Sequence, residues 1–162
     1  MIQLSFADIG PVIIEESACV ALNSYRQKRF EFEKAGVVAG FKDADGAWHI
    51  SRVMPPSKNN KASRNWVYRD KASAQRFIDR EFRNSSGLVN YLGEWHTHPC
   101  VNPKPSGDDK QMLTDLLRSS VMAIDFLIGI IVAETGNACC WAQRYTKDDI
   151  IIYPQQDFRL EK

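Results

Sequence analysis

Hydrophobic residues recur along the chain with two different periods, and each period predicts one kind of element. Mostly apolar runs, typical of strands, cover residues 2–6, 36–41, 48–53, 87–95, 126–133, 138–145 and 150–153. Apolar residues three or four apart predict three helices. Their markers are Ala18, Leu22 and Tyr25 after Pro11; Ala74, Phe77, Ile78 and Phe82; and Met112, Leu113, Leu116 and Leu117.

The order of these elements predicts a mixed α/β fold, with a central mixed sheet flanked by helices. Turn residues at 43–46 and 134–137 separate neighbouring strands and indicate hairpins. The chain has 162 residues, which suits a single domain over residues 1–162 with a substantial core. Hydrophobic residues make up 44% and charged residues 25%, an ordinary globular composition.

A cluster of polar residues follows the strand at 87–95, at spacings that suit a metal site. His96 and His98 are two residues apart, so on a continuing strand their side chains point to the same side. Asp109 lies in the first turn of the next predicted helix, from which its carboxylate can return to the same ion. Two imidazoles and a carboxylate leave the fourth position of a tetrahedral zinc ion open for water, as catalytic zinc sites do.

Each part of this cluster also has a simpler explanation. Ser106, with Asp109 three residues later, resembles a capping box at a helix start, and His-x-His pairs on strands are often structural. The combination at this order and spacing nevertheless favours a metal site. Both explanations of Ser106 are compatible, since its backbone can cap the helix while its hydroxyl faces the metal.

The pattern H-x-H-x7-S-x-x-D resembles the JAMM motif of the JAB/MPN metallopeptidases, which cleave peptide or isopeptide bonds after ubiquitin-like proteins. This resemblance implies a cytidine-deaminase-like JAB/MPN fold and a zinc ion held by His96, His98 and Asp109. It also implies a general base in the context E-x-x-G, which Glu33 matches, although Glu31 competes for that role. Ser106 would stabilise the developing oxyanion.

The segment from Gly93 to Pro99 is most similar to stand-alone bacterial JAB proteins of CBASS antiphage operons. In those systems an E1/E2-like enzyme conjugates the C-terminal tail of a cGAS-like nucleotidyltransferase to targets, and the JAB peptidase removes it. The implied partners are therefore the tail of a ubiquitin-like or cGAS-like protein, its conjugates, and an E1/E2-like enzyme. Members of this group often carry an acidic residue where this chain has Cys100.

Other functions share parts of the pattern. A zinc deaminase needs H-x-E with P-C-x-x-C, and neither occurs here. A HExxH metalloprotease motif is also absent. A RadC-like DNA-associated JAB protein, a peptidase for sulfur-carrier proteins or short peptides, and a non-catalytic scaffold remain alternatives. A cysteine peptidase built on Cys100 is not favoured, because the motif assigns His96 and His98 to the metal.

Charge and cysteine content indicate the cellular location and the classes of binding partner to expect. The four cysteines form no C-x-x-C motif, and the chain has neither a signal-peptide pattern nor an apolar run long enough for a membrane span. We therefore expect reduced thiols in a cytoplasmic protein that does not bind membranes. The net charge of +1 gives no general attraction to nucleic acid, which is not an expected partner.

Residues 51–83 are locally basic, with nine lysines or arginines and three acidic residues, and they include Trp66 and Tyr68. A solvated surface is the common explanation of such a stretch. A docking surface for an acidic partner or an extended tail is one functional alternative, in which Arg64 and Arg69 would contact the substrate. A nucleic-acid patch is the other, because aromatic side chains among basic residues can stack on bases.

Overall fold

An eight-stranded mixed sheet forms the frame of the molecule, with the strand order β1-β2-β4-β3-β7-β8-β9-β10. The structure is a computed structural model that describes residues 1–161. The strands are β1 (Ile2–Phe6), β2 (Gly10–Ile14), β3 (Ala35–Lys42), β4 (Trp48–Val53), β5 (Lys61–Ala62), β6 (Val67–Tyr68), β7 (Asn90–His98), β8 (Phe126–Ala133), β9 (Asn137–Tyr145) and β10 (Ile150–Arg159). The helices are α1 (Glu16–Ser24), α2 (Lys71–Asn84) and α3 (Gly107–Ser119).

Helices cover both faces of the sheet, so a central strand is apolar on both sides. On one face, Leu22 of α1 packs in a core with Val38 and Ile130. On the other face, α2 covers Val37 and α3 covers Ile131. Every residue of β8 is buried, which explains its unbroken apolar sequence. The predicted mixed α/β fold is confirmed.

The position of β7 in the sheet brings the motif residues together. This strand pairs antiparallel with β3 and parallel with β8. The parallel pair needs a crossover connection, which α3 supplies between the end of β7 and the start of β8. The start of α3 therefore lies beside the end of β7, where the two histidines are.

Several predicted boundaries differ from the structure. The first helix begins at Glu16 rather than after Pro11, because the β-branched residues that follow Pro11 form β2 beside β1. The motif strand runs from Asn90 to His98, so both histidines lie on it. The short hairpin of β5 and β6 was not predicted, and β10 extends well beyond the expected residues 150–153.

Phe82 was expected on the apolar stripe of the second helix, but its side chain is exposed. The stripe of α2 is therefore narrower than the sequence indicated and consists mainly of Ala74 and Phe77. Among residues 1–161, no helix is both long and apolar enough to cross a membrane.

Candidate metal centre

His96, His98 and Asp109 converge at the end of β7 and the start of α3. The Nε2 atoms of His96 and His98 are 3.0 Å apart. Asp109 places Oδ1 at 3.1 Å from Nε2 of His96 and Oδ2 at 3.4 Å from Nε2 of His98. The structure thus brings together the three side chains that the spacing selected as metal ligands.

The spacing of these donor atoms suits one tetrahedral ion. Ligand atoms at about 2.0–2.1 Å from a tetrahedral zinc ion lie roughly 3.3 Å from one another. The three separations of 3.0, 3.1 and 3.4 Å lie close to that value. The side chains of His96, His98 and Asp109 are 7%, 20% and 16% exposed, so the donors are largely buried while one side remains open.

A capping box at the start of α3 fixes the carboxylate of Asp109. Ser106 is the N-cap, and its hydroxyl oxygen accepts a hydrogen bond from the Asp109 backbone N–H at 3.1 Å. In return, Oδ2 of Asp109 accepts from the Ser106 backbone N–H at 2.8 Å. The same capping motif therefore starts the helix and orients a candidate ligand.

The charge state of Asp109 also suits a ligand. Burial raises the pKa of this carboxyl, but hydrogen bonds with His96 and His98 outweigh that effect and hold the pKa well below its usual range. The group is therefore an anion at neutral pH, as a metal-binding carboxylate must be.

Glu33 lies two residues before the start of β3, on the same face of the sheet as the histidines. Ala35 pairs with His96, and the ladder continues through the Thr97 N–H, which donates to the Lys34 carbonyl at 2.9 Å. Opposed residues of antiparallel strands share a face, and so do residues two apart, so Glu33 is directed to the side of His96 and His98.

The environment of Glu33 suits a group that exchanges protons. Its side chain is buried, and burial raises its pKa to about 7, while the charge of His98 lowers it and that of Asp109 raises it. Within residues 1–161, no hydrogen bond contributes to the pKa of the Glu33 carboxyl. A carboxyl with a pKa near neutrality is suited to take up and release a proton at pH 7.

Glu31, the competing candidate, is held away from this centre. Its Oε2 accepts hydrogen bonds from the Lys28 backbone N–H at 2.8 Å and from Nζ of Lys34 at 2.9 Å. The bond from Lys28 and the pairing with Lys34 lower its pKa. The two acidic residues thus differ sharply in environment, and the register favours Glu33.

A buried ion pair beneath the centre was not found from the sequence. Arg69 donates two hydrogen bonds to the Glu94 carboxylate, from Nε to Oε2 at 2.6 Å and from Nη2 to Oε1 at 2.8 Å. The Tyr91 hydroxyl donates to the same carboxylate. A charged residue inside the apolar run 87–95 was the available signal, since a buried carboxylate requires a partner.

Thr97 anchors the loop that leads to Glu33. Its side chain points to the face of the sheet opposite the two histidines. Its hydroxyl donates to Oε1 of Gln27 at 3.1 Å and accepts from the Lys34 backbone N–H at 2.9 Å. Gln27 is only 3% exposed, and its amide donates to the carbonyls of Glu31 and Arg64. The buried glutamine thus joins three segments around the centre.

Cys100 lies just beyond β7 and is not activated. Burial raises the pKa of its thiol, and the charges of Glu134 and Glu33 raise it further. A thiol that stays protonated at neutral pH is a poor nucleophile. This environment agrees with the sequence-based argument against a cysteine peptidase.

The fold resembles that of a solved structure. The solution structure of a protein from Desulfitobacterium hafniense aligns with a TM-score of 0.59 and covers 87% of this chain and 88% of that one. The two sequences are 17% identical, so this likeness concerns the fold alone.

Sequence comparison links the chain to named proteins. An Escherichia coli protein named "CD-NTase/cGAS isopeptidase" is 30% identical over 140 residues, which are 86% of this chain and 85% of that protein. A Vibrio cholerae protein of the same name is 27% identical, covering 91% of this chain and 96% of that protein. A "probable metalloprotease" of Sinorhizobium fredii is 27% identical over 65% of each chain.

The family model described as prokaryotic homologs of the JAB domain matches residues 16–144, which include every candidate site residue. A JAB domain and metalloprotease relatives imply a metal, and the cluster of His96, His98 and Asp109 provides a place for one. The chain therefore belongs to the family of prokaryotic JAB-domain homologues, as its H-x-H-x7-S-x-x-D motif indicated.

Proposed function

We propose that the protein is a zinc-dependent isopeptidase that releases a CD-NTase or cGAS-like protein from its conjugates by cutting after its C-terminus. The observation that carries this proposal is the grouping of a three-donor cluster with a buried carboxyl on one face of the sheet. The names of the Escherichia coli and Vibrio cholerae relatives support the substrate class.

Zinc is the proposed metal because the donor set suits it. His96, His98 and Asp109 would hold the ion, and two imidazoles with one carboxylate form a donor set found in catalytic zinc sites. When bound there, zinc would supply Lewis acidity toward the scissile carbonyl and would make a water molecule more acidic.

Glu33 is the proposed general base. Its carboxylate would accept a proton from the attacking water and then return that proton to the nitrogen of the leaving amine. Direct attack by water on the carbonyl requires no covalent intermediate with the enzyme, which is consistent with the protonated state of Cys100.

Ser106 is proposed to stabilise the oxygen of the carbonyl as it becomes negative. Its hydroxyl oxygen accepts the capping hydrogen bond from the Asp109 N–H, so its own proton remains available to donate. Ser106 is exposed to solvent, as a residue that meets an incoming substrate has to be. The capping role and the catalytic role therefore use different parts of the same hydroxyl group.

The wider setting follows from the same proposal. An E1/E2-like enzyme would form the conjugates that this protein hydrolyses, and both would act in the bacterial cytoplasm as part of antiphage defence. Polypeptide substrates of this kind would be cut at the junction between a folded donor protein and its target.

The direct test is hydrolysis of a defined conjugate. A CD-NTase that an E1/E2-like enzyme has joined to a target is incubated with zinc-loaded protein, and the cut is mapped by mass spectrometry. We expect cleavage immediately after the C-terminal residue of the CD-NTase. The Glu33→Gln variant is the control for a contaminating protease, and no cleavage by zinc-loaded wild-type protein would overturn the proposal.

A further inference from the structure

Two arginine side chains flank an exposed phenylalanine ring next to the candidate site. The guanidinium carbons of Arg29 and Arg64 lie 5.0 and 5.1 Å from the ring centroid of Phe30. Phe30 is 66% exposed. Arg29 and Phe30 belong to the loop before β3, whereas Arg64 lies at the tip of the β5–β6 hairpin. We refer to these three residues as the arginine–phenylalanine cluster.

The charges of this cluster are not balanced within the described part of the chain. Across residues 1–161, neither Arg29 nor Arg64 forms an ion pair, whereas Arg69 pairs with Glu94 and Arg52 with Glu81. Two guanidinium groups held near one ring repel each other, and an anion close to both would relieve that repulsion. Arginine is also the residue best suited to hold a carboxylate through paired hydrogen bonds.

The backbone at Phe30 indicates that this arrangement is not incidental. Phe30 has a φ of +71°, in the left-handed region that bulky residues rarely adopt. Its ring does not enter the core, so burial does not explain the strained conformation. Backbone strain of this kind concentrates at functional sites.

The cluster is fixed at the end of the sheet where Glu33 lies. The amide of Gln27 donates to the Arg64 carbonyl at 2.9 Å, and the Glu33 backbone N–H donates to the Ser63 carbonyl at 2.7 Å. The loop that carries Arg29 and the hairpin that carries Arg64 are thus joined at Gln27 and at Glu33 itself. The arginine–phenylalanine cluster is therefore anchored to the segment that carries Glu33.

A cavity of about 660 Å³ adjoins this loop and extends the basic surface. Its lining includes Arg26, Lys28 and Arg29 from the loop, together with Glu134 and Thr135. Glu134 directly follows β8, whose last residue, Ala133, pairs with His98. The cavity therefore lies at the same end of the sheet as the metal centre, and it is rich in cationic side chains.

We propose that the arginine–phenylalanine cluster binds an acidic segment of the protein substrate, with its carboxylates on Arg29 and Arg64. This inference rests on the proposed function, because it assigns a specificity contact to a protein substrate. Charge complementarity selects the occupant: two unpaired cations and an exposed ring match carboxylate side chains on a polypeptide. Arg69, by contrast, is engaged with the buried Glu94 and is not part of this surface, which corrects the sequence-based expectation for that residue.

The first test measures steady-state hydrolysis of the CD-NTase conjugate. The variant Arg29→Glu/Arg64→Glu is compared with Arg118→Glu/Lys147→Glu, which changes the net charge equally at exposed positions far from the cluster. We expect the KM of the first variant to rise at least about tenfold and more than kcat falls, because one lost charge-assisted contact corresponds to such a change. The second variant should match the wild type.

Phe30→Ala should raise the KM in the same direction, because the two guanidinium groups lose the ring that positions them. Higher salt should weaken substrate binding by the wild type more than by the Arg29→Glu/Arg64→Glu variant. Equal KM values for wild type and that variant would overturn the inference, and so would an equal rise in the Arg118→Glu/Lys147→Glu control.

A second test does not depend on hydrolysis. Three labelled probes are titrated against the wild type and the variants. They are a ten-residue peptide with four glutamates, the same peptide with four glutamines instead, and a single-stranded DNA of 20 nucleotides. The inference is supported if the wild type binds only the glutamate peptide and the Arg29→Glu/Arg64→Glu variant does not bind it. This holds even if the conjugate is never cut, because the absence of cleavage would contradict only the proposed function. Stronger binding of DNA than of the glutamate peptide, or no binding of either, would overturn the inference.

Discussion

Removal of the Arg69 guanidinium should destabilise the protein far more than removal of a comparable exposed arginine. In Arg69→Met, the carboxylate of Glu94 stays buried, since its side chain is only 3% exposed, but it loses both guanidinium hydrogen bonds. Breaking a buried ion pair by removal of one partner typically costs about 3–5 kcal/mol. The Tyr91 hydroxyl remains as a donor, so we expect the lower end of that range.

The ion pair between the exposed Arg52 and Glu81, which also contacts Arg80, provides the matched control. The Arg52 side chain is 49% exposed, and exposed pairs contribute only about 0–1 kcal/mol. Arg52→Met should therefore lose less than about 1 kcal/mol of unfolding free energy.

The expected loss for Arg69→Met, about 3 kcal/mol, corresponds to a lower Tm. At roughly 2–4 °C per kcal/mol for a chain of this size, the Tm should fall by about 6–12 °C.

Urea denaturation followed by far-UV circular dichroism measures the difference. A chelator is present throughout, because a bound metal would stabilise the folded state separately. In the double variant Arg69→Met/Glu94→Met, the unpaired charge is gone and much of the loss should be recovered. If Arg69→Met is no less stable than Arg52→Met, then Glu94 is not a buried carboxylate that depends on Arg69, and the argument for that pair fails.

Three further predictions concern single positions. Glu33→Gln should keep its metal and lose roughly 10²–10⁴ in turnover, whereas Glu31→Gln should stay near wild type; the reverse result would show that the base was misassigned. Ser106→Ala should lose about 1 kcal/mol in urea denaturation through the missing cap and should also hydrolyse conjugates more slowly; a variant with wild-type stability and rate would contradict both roles. Gly129→Ala should lose about 1–3 kcal/mol, because its Cβ would lie 2.3 Å from the Trp141 ring; unchanged stability would show that the ring can move.

Local patterns made much of the site predictable. His96 and His98 are two residues apart on a strand and Asp109 begins the following helix, so their approach depends on short-range geometry. The capping box of Ser106 is equally local, and its four residues are contiguous in the sequence. The fold class followed from the apolar positions, because the central strands β3, β8 and β9 are strongly apolar and the three helices carry apolar residues three or four apart.

Contacts between distant segments were not predictable in the same way. Arg69 precedes Glu94 by 25 residues, and nothing in the sequence indicates that they pair. Arg69 was therefore predicted to contact the substrate, whereas in the structure it belongs to a buried ion pair. The strand at Gly10–Ile14 was not predicted, because Pro11 indicated the start of a helix. In the structure Pro11 lies within this strand and pairs with Ser5 of β1. Gln27 also carried no signal, since its buried contacts exist only after three segments meet.

The metal content of purified protein tests the central claim most directly. Inductively coupled plasma mass spectrometry should find one zinc per chain in the wild type. It should find little zinc in His96→Ala, His98→Ala and Asp109→Ala. His49→Ala is the matched control, because His49 pairs with Glu15 and Asp43 outside the metal centre. That control should keep its zinc, and full zinc occupancy in the other three variants would contradict the account.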